Sequence, residues 1–218
     1  NPLGSLKLLR SHHELWGLSW VNFITYTAHE VFPTVWVIYC IAAFGWSTGS
    51  VGLTLALVGV VSAINQATAV RPVVAKLGER RVLLASLAVA AAGLALMGVN
   101  NGFAFLLAAT IIALPMYQAS SQALMTRRVK PDEQGELQGA IGSVRGLSML
   151  IGPAIFSLTF AQFAGPWRSS GLIGAPWILA ALMYAAALLV ASRATSRADD
   201  VVLPVDVPPP QYAESFET

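Results

Sequence analysis

Two long uncharged apolar runs, residues 51–70 and 82–99, enclose a short basic segment, residues 71–81. A helix of about 20 residues crosses the ~30 Å hydrocarbon core of a bilayer, so each run is long enough to be a membrane span. Basic residues gather in the cytoplasmic loops of membrane proteins. The pattern therefore predicts two membrane spans joined by a cytoplasmic turn, with positive charges at Arg71, Lys76, Arg80 and Arg81.

The composition argues against a soluble protein. Of the 218 residues, 56% are hydrophobic and 11% are charged, whereas a soluble domain carries about 25% charged residues. A soluble helical bundle would also need a polar face on each helix, which these runs lack. We therefore expect an all-α integral membrane protein. Its one cysteine, Cys40, excludes an internal disulfide and a multi-cysteine metal site, and we predict no metal, no cofactor and no nucleic-acid partner.

Similar apolar runs predict six transmembrane helices within residues 15–192, followed by an acidic, proline-rich segment, residues 193–218, that we expect to be a disordered cytoplasmic tail. Pro33 lies inside the first span, where it predicts a kink or a tilt. The predicted spans are residues 15–44, 51–70, 82–99, 103–125, 137–163 and 173–191. Glycines recur at helical spacing near the start of the fifth and predict a face that another helix approaches closely: Gly135, Gly139, Gly142 and Gly146.

The distribution of positive charge predicts the orientation. Of the 13 lysines and arginines, all but two lie before the first span, in two basic loops or after the last span, which places them on one side of the membrane. The positive-inside rule makes that side cytoplasmic. We therefore expect a multi-pass protein of the plasma membrane, in a bacterium the inner membrane, with both termini in the cytoplasm. The two exceptions are Arg168, in a loop on the opposite side, and Arg145, inside the fifth span.

Charged residues inside a span are the sharpest functional signal, because each costs at least about 2.5–3.5 kcal/mol to insert. Glu30 lies in the first span beside His29, and helical steps back from it reach Tyr26 and Asn22. One interpretation is a proton relay or cation-binding group facing an aqueous cavity, with Glu30 and His29 as proton-coupling candidates. The alternatives are an ion pair between Glu30 and Arg145, or a position close enough to the outer surface to be hydrated.

Arg145 and a set of neutral polar residues are candidates for a substrate path. Arg145 can bind an anionic substrate, pair with Glu30, or extend its side chain towards the membrane interface. Gln118 and Gln122 are four residues apart and share a helix face. Amides in spans either line a cavity or form hydrogen bonds between helices, and both interpretations stay open. The complete set of candidates is Asn22, Tyr26, Asn65, Gln66, Gln118, Gln122 and Arg145.

Two short enzyme motifs occur by chance. The sequence from His29 to Pro33 begins like the zinc motif HExxH, but proline replaces the second ligand. Residues 45–49 fit GxSxG, yet that motif needs a strand–turn–helix with aspartate and histidine partners, and here it joins two spans. We therefore predict no catalytic residues and expect that the protein is not an enzyme.

The basic segment, RPVVAKLGERR, resembles the second-half copy of the signature loop of major facilitator superfamily transporters. Residues 36–38, 44–47, 134–139 and 151–153 are similar to the C-terminal half of the tetracycline-efflux branch, and residues 1–3 to the end of its central linker. The resemblance implies that residues 1–14 end that cytoplasmic linker and that the six spans form one half-bundle of a major facilitator fold. It also implies signature-loop roles for Arg71, Lys76, Gly78, Arg80 and Arg81.

In that family the chain would be the C-terminal half of a proton-coupled efflux transporter that exports small amphipathic compounds such as tetracycline-like drugs. Its partners would then be the lipid bilayer, an N-terminal six-helix half missing from this chain, the small-molecule substrate and protons. Two alternatives remain open at this point. The first is a metabolite uptake transporter of the same superfamily, and the second is a self-contained six-span membrane scaffold or homodimer.

Overall fold

The computed structural model describes residues 13–112 and 116–195. In this part of the chain, six helical segments are long and apolar enough to cross a membrane, which confirms the predicted all-α membrane fold. Short 3-10 turns occur at Pro131–Glu133 and Arg168–Ser170. The α-helices are α1 (His13–His29), α2 (Val31–Phe44), α3 (Thr48–Thr68), α4 (Val70–Leu77), α5 (Glu79–Met97), α6 (Gly102–Ile112), α7 (Met116–Thr126), α8 (Gln134–Ala164) and α9 (Ala175–Ala194).

The first span, Leu15–Phe44, is divided at Glu30 into α1 and α2. Pro33 has no N–H to donate to the carbonyl one turn earlier, and the Glu30 amide bonds to Thr27 three residues back, at 3.2 Å. Pro153 lies inside α8 without interrupting it. Proline and a tightened turn together therefore mark the break where the sequence predicted a kink. The fourth span consists of α6 and α7, and Pro115 lies between them, outside the described residues.

The basic segment between the second and third spans is mostly helical, which corrects the expectation of a simple turn. Its first part forms the two-turn helix α4, which follows α3 after Ala69, and the break between α4 and α5 lies at Gly78, whose φ is +78°. Glycine adopts positive φ without the steric cost that a Cβ brings. Since α5 then begins at Glu79, the segment continues into the third span with no extended loop.

Close packing of α9 against α1 and α5 forms the centre of the bundle. A Cβ on Gly17 of α1 would overlap Ala194, and a Cβ on Gly174, just before α9, would overlap the backbone carbonyl of Gly98. Near the N-terminal end of α9, the ring of Trp177 lies 5.3 Å from that of Phe105. This contact joins the sixth span to the fourth. The helices can approach this closely because small residues lie at their crossings. Large aromatic side chains fill the space between the helices elsewhere.

The opposite ends of the same spans are joined by polar contacts. Arg127, after α7, forms an ion pair of 2.6 Å with Glu79 at the start of α5. Arg80 donates from Nε to the Oγ1 of Thr195, at 3.2 Å, just beyond α9. The third, fourth and sixth spans are therefore connected on the arginine-rich face of the bundle.

Two spans are covered far less than the others. In their most apolar stretches, 6% of the residues of α3 and 17% of those of the span containing α8 are buried, against 33–39% in the other four. No atom outside the helix backbone lies within 4 Å of a Cβ built on Gly135, Gly142 or Gly146. Within the described residues, the glycine face predicted on the fifth span is therefore uncovered.

The close approach at Gly174 gives a test of the packing. Adding a methyl group in Gly174→Ala should lower the free energy of unfolding by about 1–3 kcal/mol, because the overlapping atoms are backbone and cannot rotate away. Unfolding in detergent micelles, followed by circular dichroism, measures the change. Gly49→Ala is the matched control, since its nearest neighbour would be the Ser47 hydroxyl at 3.8 Å. Equal stabilities for the two variants would contradict this packing.

Candidate functional site

An open cavity of about 480 Å³ lies between the spans. Its volume falls in the range of small-molecule sites, about 300–1,000 Å³. Five of the six spans contribute to its wall, so it lies within the bundle and not in a loop. The lining residues are His29, Phe32, Pro33, Trp36, Val37, Leu55, Val58, Ser62, Gln66, Ala109, Ile112, Tyr117, Gln118, Arg145 and Tyr184.

The break in the first span forms one side of this cavity. His29 lies immediately before the break, and Phe32, Pro33 and Trp36 follow it within two turns. The Trp36 indole donates from Nε1 to the Oγ1 of Thr54 in α3, at 3.3 Å. Because this hydrogen bond joins α2 to α3, it fixes the large aromatic wall of the cavity.

Arg145 of α8 is the cationic residue of the lining. Its guanidinium carbon lies 5.9 Å from the ring centroid of Tyr26 in α1, within the distance of a cation–π contact. Among the described residues, a salt bridge forms between Arg127 and Glu79 and none forms between Arg145 and Glu30. The alternative in which Arg145 pairs with Glu30 is therefore wrong. Tyr26 itself is not a lining residue and supports Arg145 from the side.

Glu30 is half-buried at the crossing of the first and fifth spans and does not line the cavity. Its Cβ and Cγ occupy the space above Gly152 of α8, where a side chain on residue 152 would collide with them. Among the described residues its carboxylate has no ion-pair partner. His29 does line the cavity, with its ring 5.2 Å from that of Phe32. The proton-coupling role expected for Glu30 and His29 stays a prediction.

Two tyrosines that meet across the bundle complete the polar part of the wall. Tyr184 of α9 donates from its hydroxyl to that of Tyr117 in α7, at 2.9 Å, and the rings meet edge to face. Gln118 donates to the same Tyr117 oxygen at 3.4 Å. Sequence reasoning missed Tyr184 and the aromatic residues of α2. For Tyr184 the signal was present, as a lone phenol within the apolar run of the sixth span.

The predicted amides divide into two groups. Gln66 and Gln118 line the cavity, whereas Asn65 is half-buried outside it. Gln122 donates to Gln138 of α8 at 3.3 Å and joins two helices.

Asn22 is also a helix-joining residue. It is buried, accepts a hydrogen bond from the Ser121 hydroxyl at 2.8 Å, and donates to the sulfur of Met125 at 3.2 Å. Asn22 therefore connects α1 to α7. It does not line the cavity, and its role in a substrate path stays a prediction.

The signature-loop residues lie outside the cavity, at the ends of the spans. The side chains of Arg71, Lys76 and Arg81 are exposed. Gly78 makes the turn between α4 and α5, and Arg80 bonds to Thr195. Their contacts organise the arginine-rich face and supply no group to the cavity wall.

Fold and cavity together define a helical, multi-pass membrane protein with an open cavity of small-molecule size between its spans. Residues 18–208 match the Major Facilitator Superfamily. The chain therefore belongs to that family, and the resemblance drawn from its sequence motifs is confirmed.

Tetracycline resistance proteins are among the relatives. The class C protein of Escherichia coli is 32% identical over 205 residues, which cover 91% of this chain and 50% of that protein. The class G protein of Vibrio anguillarum is 34% identical over 198 residues, 88% of this chain and 48% of that protein. The chain spans about half the length of these curated relatives. Human Hippocampus abundant transcript-like protein 1 is 25% identical over 75% of this chain, and no solved structure matches.

The assignment of Asn22 to helix packing can be tested by a double-mutant cycle. Asn22→Ala and Ser121→Ala should be coupled by about 0.6–1.7 kcal/mol, the range measured for hydrogen bonds between membrane helices. Unfolding in mixed micelles with increasing dodecyl sulfate measures the coupling. Asn22→Ala with Ser143→Ala is the control pair, because Ser143 bonds within its own helix to the Gly139 carbonyl. Additive effects in both pairs would show that the contact contributes nothing.

Proposed function

We propose that this chain is the C-terminal half-bundle of a proton-coupled efflux transporter that exports small amphipathic compounds, tetracycline-like drugs among them. The observation that carries the proposal is the open cavity, which five spans line with both aromatic and polar groups. A protein of this kind is a carrier and not an enzyme. Its substrate binds near the middle of the membrane, and two bundles rock around the site to expose it to either side.

The uncovered surface of α3 and α8 supports a missing N-terminal half as the partner. Both helices flank the cavity, through Gln66 and Arg145 respectively, and both are poorly covered within this chain. Small residues permit close and mobile contact between helices, and the glycine face of α8 offers such a contact. The half-length match to the tetracycline resistance proteins agrees with this arrangement.

Glu30 and His29 are the proposed proton-coupling groups. A carboxylate inside a span holds or releases a proton according to its access to water. The stem of Glu30 packs on Gly152, so a small shift of α8 against α1 would change that access, and His29 next to it in sequence faces the cavity. Binding of substrate at Arg145 on α8 and protonation at Glu30, between α1 and α2, would then be coupled through one helix crossing.

The proposed orientation places the arginine-rich face in the cytoplasm of a bacterium, with the spans in the inner membrane. The supporting observation is the concentration of arginine at the ends of α4, α5, α7 and α9, as the positive-inside rule requires.

Replacement of the proposed proton carrier tests this function. In the full-length gene product that contains this chain, Glu30→Gln should abolish proton-driven export, because the amide keeps the size of the side chain but cannot titrate. Uptake of a tetracycline into inverted membrane vesicles under an imposed pH gradient measures export. Glu136→Gln, at an exposed position in the first turn of α8, is the control and should export normally.

Unchanged export by Glu30→Gln would remove that carboxylate from the mechanism. Absence of export by the unsubstituted protein, with accumulation of substrate in the cell instead, would contradict efflux and favour uptake. No movement of substrate in either direction would favour a scaffold.

A further inference from the structure

The charge of the cavity wall is one-sided. Among the described lining residues, Arg145 is always cationic, His29 is the other residue that can carry positive charge, and no aspartate or glutamate is present. Glu30, the acidic residue nearest in sequence, is directed to the helix crossing at Gly152 and lies outside the lining. A ligand in this half of the site therefore meets a positive potential without a compensating carboxylate.

Arg145 has donors to spare for a ligand. Its contact in the described part of the chain is with the ring face of Tyr26, which uses the guanidinium charge and none of its five N–H groups. No carboxylate of the described residues lies within ion-pair distance. A planar guanidinium with free, paired N–H groups suits a planar anion such as a carboxylate, which it binds through two parallel hydrogen bonds.

The rest of the wall favours flat aromatic ligands. Phe32, Trp36, Tyr117 and Tyr184 line the cavity. The indole N–H of Trp36 and the hydroxyl of Tyr184 are already bonded to Thr54 and Tyr117. Trp36, Tyr117 and Tyr184 are at most 6% exposed, so the half-buried Phe32 offers most of the ring surface to a ligand. A ligand ring that meets such a ring edge to face or offset gains stability beyond the burial of its area. Arg145, on the fifth span, supplies the charge.

We propose that the cavity selects planar aromatic compounds that carry a negative charge, and that Arg145 binds the anionic group. This inference rests on the proposed function, because it names the class of amphipathic compound that the transporter carries. The first span then contacts the ring through Phe32, and the fifth span binds the anion through Arg145. A cationic aromatic of the same size is disfavoured, since it would face Arg145 with no carboxylate among the described lining residues to balance it.

Three probes that differ in charge and share one ring test this selectivity. The full-length gene product that contains this chain is reconstituted in lipid nanodiscs, and titration calorimetry measures the Kd of 2-naphthoate, 2-naphthamide and 2-naphthylmethylammonium. We expect naphthoate to bind about tenfold more tightly than the amide, as one charge-assisted hydrogen bond provides, and the cation to bind most weakly. Arg145→Gln should equalise the acid and the amide, and Arg145→Lys should retain part of the preference.

Arg168→Gln is the matched control, because Arg168 is exposed in the turn after α8 and does not line the cavity. It should keep the full preference for naphthoate. The inference is overturned if the unsubstituted protein binds all three probes equally, including no binding of any, or if the preference persists in both Arg145 variants. If Arg145→Gln does not fold, the unsubstituted protein and Arg145→Lys decide the result. Binding is measured without a proton gradient, so failure of efflux and failure of this selectivity give different results.

Discussion

Hydrocarbon offers no hydrogen-bond partner to a backbone amide or carbonyl, so a membrane span is interrupted only where protein or water replaces the lost bonds. In this chain the interruption is at Glu30, where Pro33 lacks a donor and the Glu30 amide turns back to Thr27. The residues on either side of the break, His29 and Trp36 among them, line the open cavity. The position of the candidate site therefore depends on one irregular turn in the first span.

The rest of the bundle separates into a closely packed part and an open part. The helices α1, α5 and α9 meet at crossings where Gly17 and Gly174 leave no room for a side chain, while α3 and α8 are largely uncovered. Packed crossings transmit strain and resist deformation. If this bundle is half of a transporter, as proposed above, we expect it to move as one body, with its changing contacts at the open helices beside the cavity.

The sequence was sufficient to predict six spans, the arginine-rich face and the polar candidates Gln66, Gln118 and Arg145, because charge and apolar length are local properties. Helical spacing also grouped Gln122 with Gln118, although Gln122 contacts Gln138. Spacing shows which residues share a face, but not whether lipid, a helix or a cavity covers that face. The Glu30–Arg145 pairing was wrong for the same reason, since the crossing at Gly152 decides where Glu30 is directed.

We expect water to reach the cavity inside the lipid-embedded bundle, and cysteine labelling tests this expectation. In a Cys40→Ala background, Gln66→Cys lines the cavity, whereas Leu182→Cys is 63% exposed on α9 away from it. Thiols react as thiolates, which form in water and not in hydrocarbon. In intact membranes we predict that a charged maleimide labels Gln66→Cys and leaves Leu182→Cys unlabelled. Equal labelling of the two, or labelling of Leu182→Cys alone, would contradict the account.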